Sequence, residues 1–397
     1  MSAIQLIKSP FQLKKIDQQQ VARQVAEVTR FYQTVPFYQP TPLVSLDHYA
    51  KGHRVGQVFV KDEGQRFDDR LKSFKVTGGL YAMACQIAKR AGLPIDGLTY
   101  DQLQDPAVKQ VAGQMTFYTA TDGNHGRGIA WAAAKLGTHA VVKMPAPSTQ
   151  VRADHIRQFA NCDVEITPDN YDDTVQLASR LADKDPQGVL VQDMAWDGYH
   201  EIPAEISAGY SVVATEVLKQ LAGQPLPTHV FLQAGVGQMS SGLINALLSQ
   251  WPTAQTPTIT IVEPATVDCY FESATVGDGQ PHTIPGSPAT IMAGLNCQTP
   301  SAISWPVIKQ TAAFYGTLTD GAVKEGMKQL ARPTGNDPLV IAGESGVAGF
   351  AFVHQLLTNP AYRPQRNELG LDQQSRILVI NTEGDTDEPL YQRIIEE

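Results

Sequence analysis

The stretch TFYTATDGNHGRGIAWAAAKLGTHAVVKM, residues 116–144, decides the fold. It opens with the β-branched and aromatic run TFYTA, passes through a glycine-containing turn into an alanine-rich segment, and closes with the apolar run HAVVKM. Two short apolar runs that flank a helical segment are typical of a strand–helix–strand unit with parallel strands. The same rhythm extends further, and we predict strands at 116–120, 139–144, 162–167 and 188–194 and helices at 126–137, 149–160 and 172–184.

A second alternation of apolar runs and amphipathic segments occupies the C-terminal part of the chain. Two such alternations predict an α/β protein with two three-layer α/β domains, each with a mainly parallel sheet. We expect the smaller domain, residues 80–215, to be inserted in a larger domain made of residues 1–79 and 216–397. The remaining predicted elements are strands at 57–61, 228–234, 258–264 and 376–382 and helices at 12–33, 74–92, 201–222, 239–251 and 319–331.

The composition excludes several classes of protein. Of the 397 residues, 42% are hydrophobic and 18% are charged, which is typical of globular proteins and not of disordered chains. The 31 basic and 40 acidic residues give a net charge of −9 without any lysine- or arginine-rich run, so we expect no nucleic-acid partner. No apolar run approaches the roughly 18 residues of a membrane span. The N-terminus lacks a signal-peptide pattern, and we therefore expect a cytoplasmic protein without membrane contact.

The four cysteines and nine histidines form no metal-binding pattern. Neither a C-x-x-C pair nor an H-E-x-x-H motif occurs, and we expect no bound metal. Four cysteines are also too few for a disulfide framework. Whether Cys269 and Cys297 pair with each other is left open by the sequence.

Two glycine-containing loops stand where a predicted strand meets a predicted helix. They are TDGNHGRG at 121–128 and QAGVGQMSSG at 233–242. Glycine permits a sharp turn and a close approach of the backbone, and the first turn of the following helix offers N–H groups and a partial positive charge. Together these features suit a phosphate group. A tight turn that binds no ligand is the alternative for either loop.

The second loop also leaves a dinucleotide-binding fold open. Gly235 and Gly237 follow a predicted strand, and Glu263 ends the next strand, where nicotinamide-dependent oxidoreductases place the acidic residue that binds a ribose hydroxyl. The third glycine of that fingerprint is misplaced, because Gly242 lies five residues after Gly237 instead of three.

Lys75 stands at the head of a predicted helix, in the segment KSFKVTGG of residues 72–79. Its apolar neighbours and the helix dipole disfavour a cation, so we expect its amine to be neutral often enough to act as a nucleophile. Gly78 and Gly79 thin the helix for the approach of another group. A neutral amine of this kind forms a Schiff base with an aldehyde. Lys72, three residues earlier, is a rival anchor.

These motifs resemble those of the fold-type-II pyridoxal-phosphate enzymes, the group of tryptophan synthase β and threonine dehydratase. The resemblance rests on Ser-Phe-Lys before a helix, on DGNHG and on the GVG loop. A closer resemblance, to the diaminopropionate ammonia-lyase family, runs in order over nearly the whole chain. Its further motifs are YQPTPL at 38–43, ATDGNHGRG at 120–128, QDMAW at 192–196, IMAGL at 291–295 and TEGDTD at 382–387.

The resemblance implies that pyridoxal 5′-phosphate is the cofactor and that Lys75 holds it as a Schiff base. Asn124 would contact the hydroxyl oxygen of the pyridine ring, and Thr382 would face the ring nitrogen. A neutral hydroxyl beside the ring nitrogen limits the delocalisation of charge and favours elimination over racemisation. The backbone amides implied to bind the phosphate are those of Gly235, Val236, Gly237, Gln238 and Met239.

The resemblance also implies a reaction, the α,β-elimination of D- and L-2,3-diaminopropionate to pyruvate and two ammonia, carried out by a homodimer. Lys75 would remove the α-proton of one isomer and Asp122 that of the other. Asp193 ends a neighbouring predicted strand, where a partly dry site would raise its pKa and allow it to act as a base. It would alternatively pair with a substrate amino group. An acidic pair favours a diamino acid over a hydroxy-amino acid as substrate.

Several alternatives stay open at this point. Asp122 would serve equally as a helix-capping turn residue, Asp193 as the partner of a nearby lysine, and Thr382 as an outward-facing strand residue. The alternative enzymes are a threonine/serine dehydratase-type lyase acting on another β-substituted amino acid and an NAD-dependent oxidoreductase. A non-catalytic protein that binds an amino acid or a cofactor is the third class.

Overall fold

The computed structural model describes residues 2–121, 123–146, 148–251, 255–286 and 288–397. Strands and helices alternate along these residues. The strands are β1 (Ile4–Lys8), β2 (Leu43–Ser45), β3 (Gln57–Asp62), β4 (Thr116–Ala120), β5 (His139–Met144), β6 (Cys162–Ile166), β7 (Gly188–Leu190), β8 (His229–Gln233), β9 (Thr258–Pro264), β10 (Phe314–Leu318) and β11 (Arg376–Asn381). The α-helices are α1 (Gln18–Thr34), α2 (Asp47–Gly52), α3 (Lys75–Arg90), α4 (Tyr100–Leu103), α5 (Pro106–Ala112), α6 (Asn124–Leu136), α7 (Gln150–Arg157), α8 (Tyr171–Lys184), α9 (Glu201–Gln220), α10 (Gln238–Gln250), α11 (Cys269–Val276), α12 (Trp305–Thr311), α13 (Asp320–Ala331), α14 (Ala348–Thr358), α15 (Arg363–Leu369) and α16 (Glu388–Glu396).

The chain forms two compact units, and the first is built on a seven-stranded sheet. This unit consists of Met1–Gln18, Thr41–Gln65 and Val213–Glu397. Its strand order is β1-β10-β9-β8-β11-β3-β2, in which the five central strands are parallel and the edge strands β1 and β2 are antiparallel. The central strands are almost continuously apolar and buried, as expected for a sheet that is covered on both faces.

The loop after β8 and the residue after β11 lie at the same edge of this sheet. The two strands are parallel neighbours, with Phe231 opposite Val379. Their carboxyl ends therefore point the same way, and these ends carry the glycine loop of residues 234–237 and Thr382. The carboxyl edge is where open α/β sheets bind their ligands.

The second unit is built on a four-stranded parallel sheet. It consists of Gln19–Pro40 and Arg66–Val212, with the strand order β6-β5-β4-β7. Strands β4 and β5 have the predicted bounds, and α6 connects them as predicted. The helix ends at Gly137, which adopts a left-handed conformation with φ of 74°. The predicted α/β class with mainly parallel sheets is confirmed.

The units divide the chain differently from the predicted domains. Residues 19–40 and 66–79 belong to the second unit, which ends at Val212. The physical reason is that α1 and α3 pack on each other, since the hydroxyl of Tyr32 donates a hydrogen bond to the carbonyl of Thr77 and the rings of Phe31 and Tyr81 lie 5.4 Å apart. Helix α1 and the start of α3, which were predicted in the large domain, therefore belong to the second unit.

Strand β7 is shorter than predicted and ends at Leu190 instead of residue 194. After β7, the side chain of Gln192 bonds to the end of β4 in place of a backbone ladder. Its Oε1 accepts hydrogen bonds from the N–H of Ala120 (3.0 Å) and from the hydroxyl of Thr119 (3.1 Å). Strands β1, β2 and β10 were not predicted. Gly316 interrupts the apolar pattern of β10, where a Cβ would collide with the ring of Phe352.

Two further sequence expectations concern the whole described chain. No helix among the described residues combines the length and apolar character needed to cross a bilayer. The four cysteines form no disulfide within the part of the chain that the structure describes, which answers the open question on Cys269 and Cys297.

Candidate active site

Lys75 is the first residue of α3 and its amine is sheltered. Its Nζ forms an ion pair with Oδ2 of Asp193, a residue that follows β7. The Lys75 side chain is 18% exposed and that of Asp193 is 8% exposed. The Nζ also lies 5.5 Å from the ring centroid of Phe74. The amine is therefore held in one place by a carboxylate and does not extend into solvent.

Glycines bring α6 against the start of α3. A Cβ on Gly128 would lie 3.0 Å from both the N and the Cα of Val76, so only glycine allows the two helices to approach this closely. Gly78 and Gly79 were expected to admit another group. The groups that approach them are protein side chains, since a Cβ on Gly78 would overlap Tyr210 and one on Gly79 would lie 2.9 Å from Ile129 Cδ1.

The electrostatics of Asp193 differ from the expectation. Burial opposes ionisation of its carboxyl group, but the ammonium of Lys75, which also donates a hydrogen bond to it, outweighs burial and lowers the pKa to about 2. The expected rise of the Asp193 pKa is therefore wrong. The alternative in which it pairs with a nearby lysine is correct, and that lysine is Lys75. A permanently ionised carboxylate is suited to hold a cation.

His125 is a site residue that sequence reasoning missed. It is buried, and its Nε2–H donates to the carbonyl of Val191 at 2.8 Å. Its Nδ1 therefore carries the lone pair and lies 3.9 Å from Oδ2 of Asp193. Burial lowers the pKa of the imidazole, so the ring is neutral at physiological pH. The only sequence signal for this residue is its place in the motif DGNHG.

The glycine loop at 121–128 begins α6. Thr121 caps the helix, because its Oγ1 accepts hydrogen bonds from the N–H groups of Gly123 (2.9 Å) and Gly126 (3.2 Å). Asn124 is the first residue of the helix and is partly buried. Asp122 lies outside the described residues.

The second glycine loop leads from β8 into α10. Gly237 has a φ of 89°, which is unfavourable for other residues, and it forms the N-cap of this 13-residue helix. A Cβ on Gly235 would lie 3.0 Å from Sγ of Cys297 and 3.1 Å from the carbonyl of Gly294. Gly237 must therefore be glycine, a Cβ at position 235 would be crowded, and the loop backbone carries no side chain at these two positions at the N-terminus of a helix.

The side chains after these glycines point into the protein. Gln238 donates through Nε2 to Oγ of Ser301 (3.2 Å) and accepts at Oε1 from Ser304 (3.0 Å). Met239 is buried. Only the backbone of these residues is thus suited to a ligand, in agreement with the type of contact that the resemblance implies.

Thr382 is buried at the end of β11, so the alternative of an outward-facing strand residue is wrong. Its Oγ1 accepts a hydrogen bond from Nε2 of Gln233 at 3.2 Å. The same amide nitrogen contacts the carbonyls of Ser345 (3.1 Å) and Gly346 (2.9 Å). Gln233, the last residue of β8, thus ties Thr382 to the strand that leads into the glycine loop.

Glu263 does not have the role that a dinucleotide-binding fold requires. Its carboxyl oxygens accept hydrogen bonds from the N–H groups of Tyr270 (2.9 Å) and Phe271 (2.8 Å) at the start of α11. The group is fully buried, and burial raises its pKa to about 8 against two backbone hydrogen bonds that lower it. Its contacts are those of a helix cap, and they weaken the oxidoreductase alternative.

This burial predicts a pH dependence of stability. The folded-state pKa of Glu263 is about 8, above its ordinary value of 4.5, so the stability linked to this proton is complete below pH 4.5 and is lost as the pH rises through 8. Between pH 5 and 9 the thermal midpoint of the wild-type protein should fall by a few degrees relative to Glu263→Gln. Glu272→Gln, an exposed position on the same helix, is the control. Parallel curves for the wild type and Glu263→Gln would contradict the assignment.

The chain is similar to known proteins over most of its length. Residues 35–382 match the family described as pyridoxal-phosphate dependent enzymes. The diaminopropionate ammonia-lyase of Salmonella typhimurium is 42% identical over 373 residues, which cover 93% of this chain and 91% of the relative. The diaminopropionate ammonia-lyase of Escherichia coli, in a structure with D-serine, superposes with a TM-score of 0.89 at 35% identity, covering 99% of this chain and 96% of the other.

A second structure of the Escherichia coli enzyme contains the aminoacrylate–PLP azomethine reaction intermediate. It superposes with a TM-score of 0.88 at 37% identity, again over 99% of this chain and 96% of that chain. The family match extends over most of the chain, and the identity to the relatives holds over nearly their full length. The chain therefore belongs to the pyridoxal-phosphate dependent enzymes and, within them, to the diaminopropionate ammonia-lyase family.

Proposed function

We propose that this chain is a pyridoxal-phosphate-dependent lyase that converts D- and L-2,3-diaminopropionate to pyruvate and two ammonia. The observation that carries the proposal is the sheltered ion pair of Lys75 and Asp193 at the head of α3. It provides a fixed amine for an aldehyde cofactor and an ionised carboxylate for a cationic substrate. Family membership supports the same reaction, since relatives that are 40–42% identical bear the name of this activity.

The residues present fit pyridoxal phosphate. The glycines at 235 and 237 leave a bare backbone at a helix N-terminus, which is suited to a phosphate. Thr382 is a buried neutral hydroxyl of the kind that suits an unprotonated ring nitrogen. We propose that Lys75 binds the aldehyde carbon and Asn124 the ring oxygen, and that the backbone amides of Gly235, Val236, Gly237, Gln238 and Met239 bind the phosphate. When bound, the cofactor supplies an electron sink for the negative charge that develops at the α-carbon.

The protein groups then move the protons. We propose that the Lys75 amine accepts the α-proton of one isomer and that Asp122 accepts the α-proton of the other isomer, while the β-amino group, already an ammonium, leaves as neutral ammonia. Asp193 stays ionised because its pKa is about 2. It is therefore assigned to hold the substrate's β-ammonium or the Lys75 ammonium in turn, and not to abstract a proton. His125 lies beside this carboxylate, with its Nδ1 3.9 Å from Oδ2 of Asp193.

A threonine/serine dehydratase-type activity is the second candidate. The observation in its favour is that the Escherichia coli relative was crystallised with D-serine. A β-hydroxyl offers no cation to Asp193, and we therefore propose serine as a slower substrate. Two assays on the purified protein rank the candidates. One measures pyruvate release from each isomer of diaminopropionate and of serine. The other measures 2-oxobutyrate release from threonine. A higher kcat/KM for serine or threonine than for diaminopropionate would reject the proposed substrate.

Replacing Asp193 with asparagine tests its role as a cation holder. We expect kcat/KM for diaminopropionate to fall by roughly a hundredfold, because removing one partner of a buried charge pair costs about 2–5 kcal/mol. The loss on serine should be several-fold smaller, since serine brings no β-ammonium. Asp163→Asn, at a side chain that is 78% exposed, is the matched control. Equal losses on diaminopropionate and serine would contradict the assignment.

The assembly and location are also proposals. We propose that the enzyme acts as a homodimer in the cytoplasm, on the strength of the family resemblance. Light scattering coupled to size-exclusion chromatography of the purified protein measures the assembly. A mass equal to one chain of 43.1 kDa would reject the dimer.

A further inference from the structure

The carbonyl oxygen of Val236, in the middle of the glycine loop, accepts two hydrogen bonds from the protein interior. The hydroxyl of Tyr270 donates to it at 2.9 Å, and the N–H of Ser301 donates at 3.0 Å. Tyr270 belongs to α11, and Ser301 precedes α12. The carbonyl is therefore fixed toward the protein interior by two separate elements.

Tyr270 itself is fixed at both ends. Its backbone N–H donates to Glu263 at the end of β9 at 2.9 Å, and its side chain is fully buried with its ring centroid 5.8 Å from that of Trp305. Burial raises the pKa of its hydroxyl far above the ordinary value, so the group stays protonated and remains a donor. A contact chain thus runs from the central sheet through Glu263 and Tyr270 to the loop.

The conformation of the glycine loop leaves room for the hydroxyl of Tyr270. A Cβ on Gly237 would overlap the Tyr270 oxygen, and Gly237 has a φ of 89°. In a planar trans peptide the C=O and the following N–H point in opposite directions. Because the Val236 carbonyl points at Tyr270 and Ser301, the N–H of Gly237 points away from them, out of the interior made by α11 and α12.

We propose that Tyr270 is a positioning residue for the cofactor phosphate: by holding the Val236 carbonyl it aims the Gly237 N–H at the phosphate. The inference rests on the proposed function, which assigns the phosphate to this loop. Tyr270 lies on the far side of the peptide and acts only through the backbone.

The test compares the affinity of the full-length protein, freed of cofactor, for pyridoxal phosphate and for pyridoxal, which lacks the phosphate. The wild-type protein should prefer the phosphorylated form by about a hundredfold or more. In Tyr270→Phe this preference should shrink by about tenfold, as expected for the loss of one buried hydrogen bond. Binding of pyridoxal itself should be unchanged, and the ³¹P resonance of the bound phosphate should shift. Tyr49→Phe, a buried tyrosine of the same unit whose hydroxyl bonds to His354 at 2.9 Å, is the control and should keep the full preference.

Each outcome has one meaning. If Tyr270→Phe keeps the full preference of the wild type, or loses affinity for both ligands alike, the role of Tyr270 is overturned while the phosphate assignment stands. If the wild-type protein shows no preference for the phosphorylated form, the phosphate assignment of the proposed function fails as well. If Tyr270→Phe does not fold, fluorinated tyrosines of graded acidity at position 270 replace it. The preference should then change along the series, and a flat series overturns the proposal.

Discussion

Replacing Lys75 with alanine is expected to lower the turnover of both isomers of 2,3-diaminopropionate by roughly a thousandfold or more. The amine is the only group in the proposal that both anchors the cofactor and accepts a proton, so no neighbour replaces it. Turnover is measured as pyruvate release from each pure isomer. Lys72→Ala is the matched control because Lys72 lies three residues earlier, and it should retain activity within about twofold.

The design must separate catalysis from folding. Lys75→Ala leaves the carboxylate of Asp193, whose side chain is 8% exposed, without its ammonium partner, and an uncompensated buried charge is destabilising. The double variant Lys75→Ala with Asp193→Asn removes both charges, so it should recover thermal stability but no activity. Borohydride reduction of the wild-type holoenzyme followed by peptide mapping should label Lys75. A label on Lys72, or a greater loss in Lys72→Ala, would reject Lys75 as the anchor.

The regular parts of the fold were predictable from local sequence. Strands β4, β5 and β9 have the predicted bounds, because each is a short apolar run that ends at a turn residue. Strands β1 and β10 escaped prediction because β1 is an edge strand whose pattern is irregular, and because glycine breaks the apolar run of β10. The domain limits differ because the packing of α1 on α3 depends on contacts between distant residues, which have no local signal.

The positions of some candidate site residues were predictable because they belong to recognisable sequence motifs. Lys75 and the glycine loops stood out by residue type and position, and the structure shelters Lys75 and leaves no room for a side chain at Gly235 and Gly237. The sign of the Asp193 pKa shift was not predictable, because it depends on which cation the fold brings to it. Tyr270 was equally hidden, since its sequence neighbours say nothing about the Val236 carbonyl that it binds.

Replacing Asp122 with asparagine is expected to lower kcat/KM for one isomer, which we assign as the D isomer, by roughly a hundred- to a thousandfold. The L isomer should change by only a few-fold. The two isomers present the α-proton on opposite faces of the α-carbon, and a base accepts a proton only from the face on which it lies. In the proposed mechanism Lys75 serves one face, so turnover of the other isomer requires a second base, and an amide cannot accept the proton.

The same substitution tests the alternative in which Asp122 merely caps α6. Thr121 already supplies that cap through the N–H groups of Gly123 and Gly126, so Asp122→Asn should leave the thermal midpoint nearly unchanged. Thr121→Val, which removes the observed cap, should cost about 1 kcal/mol of stability and should affect the two isomers equally. Equal losses of kcat/KM on both isomers in Asp122→Asn would reject the two-base division. A large fall in its thermal midpoint would instead favour the capping role.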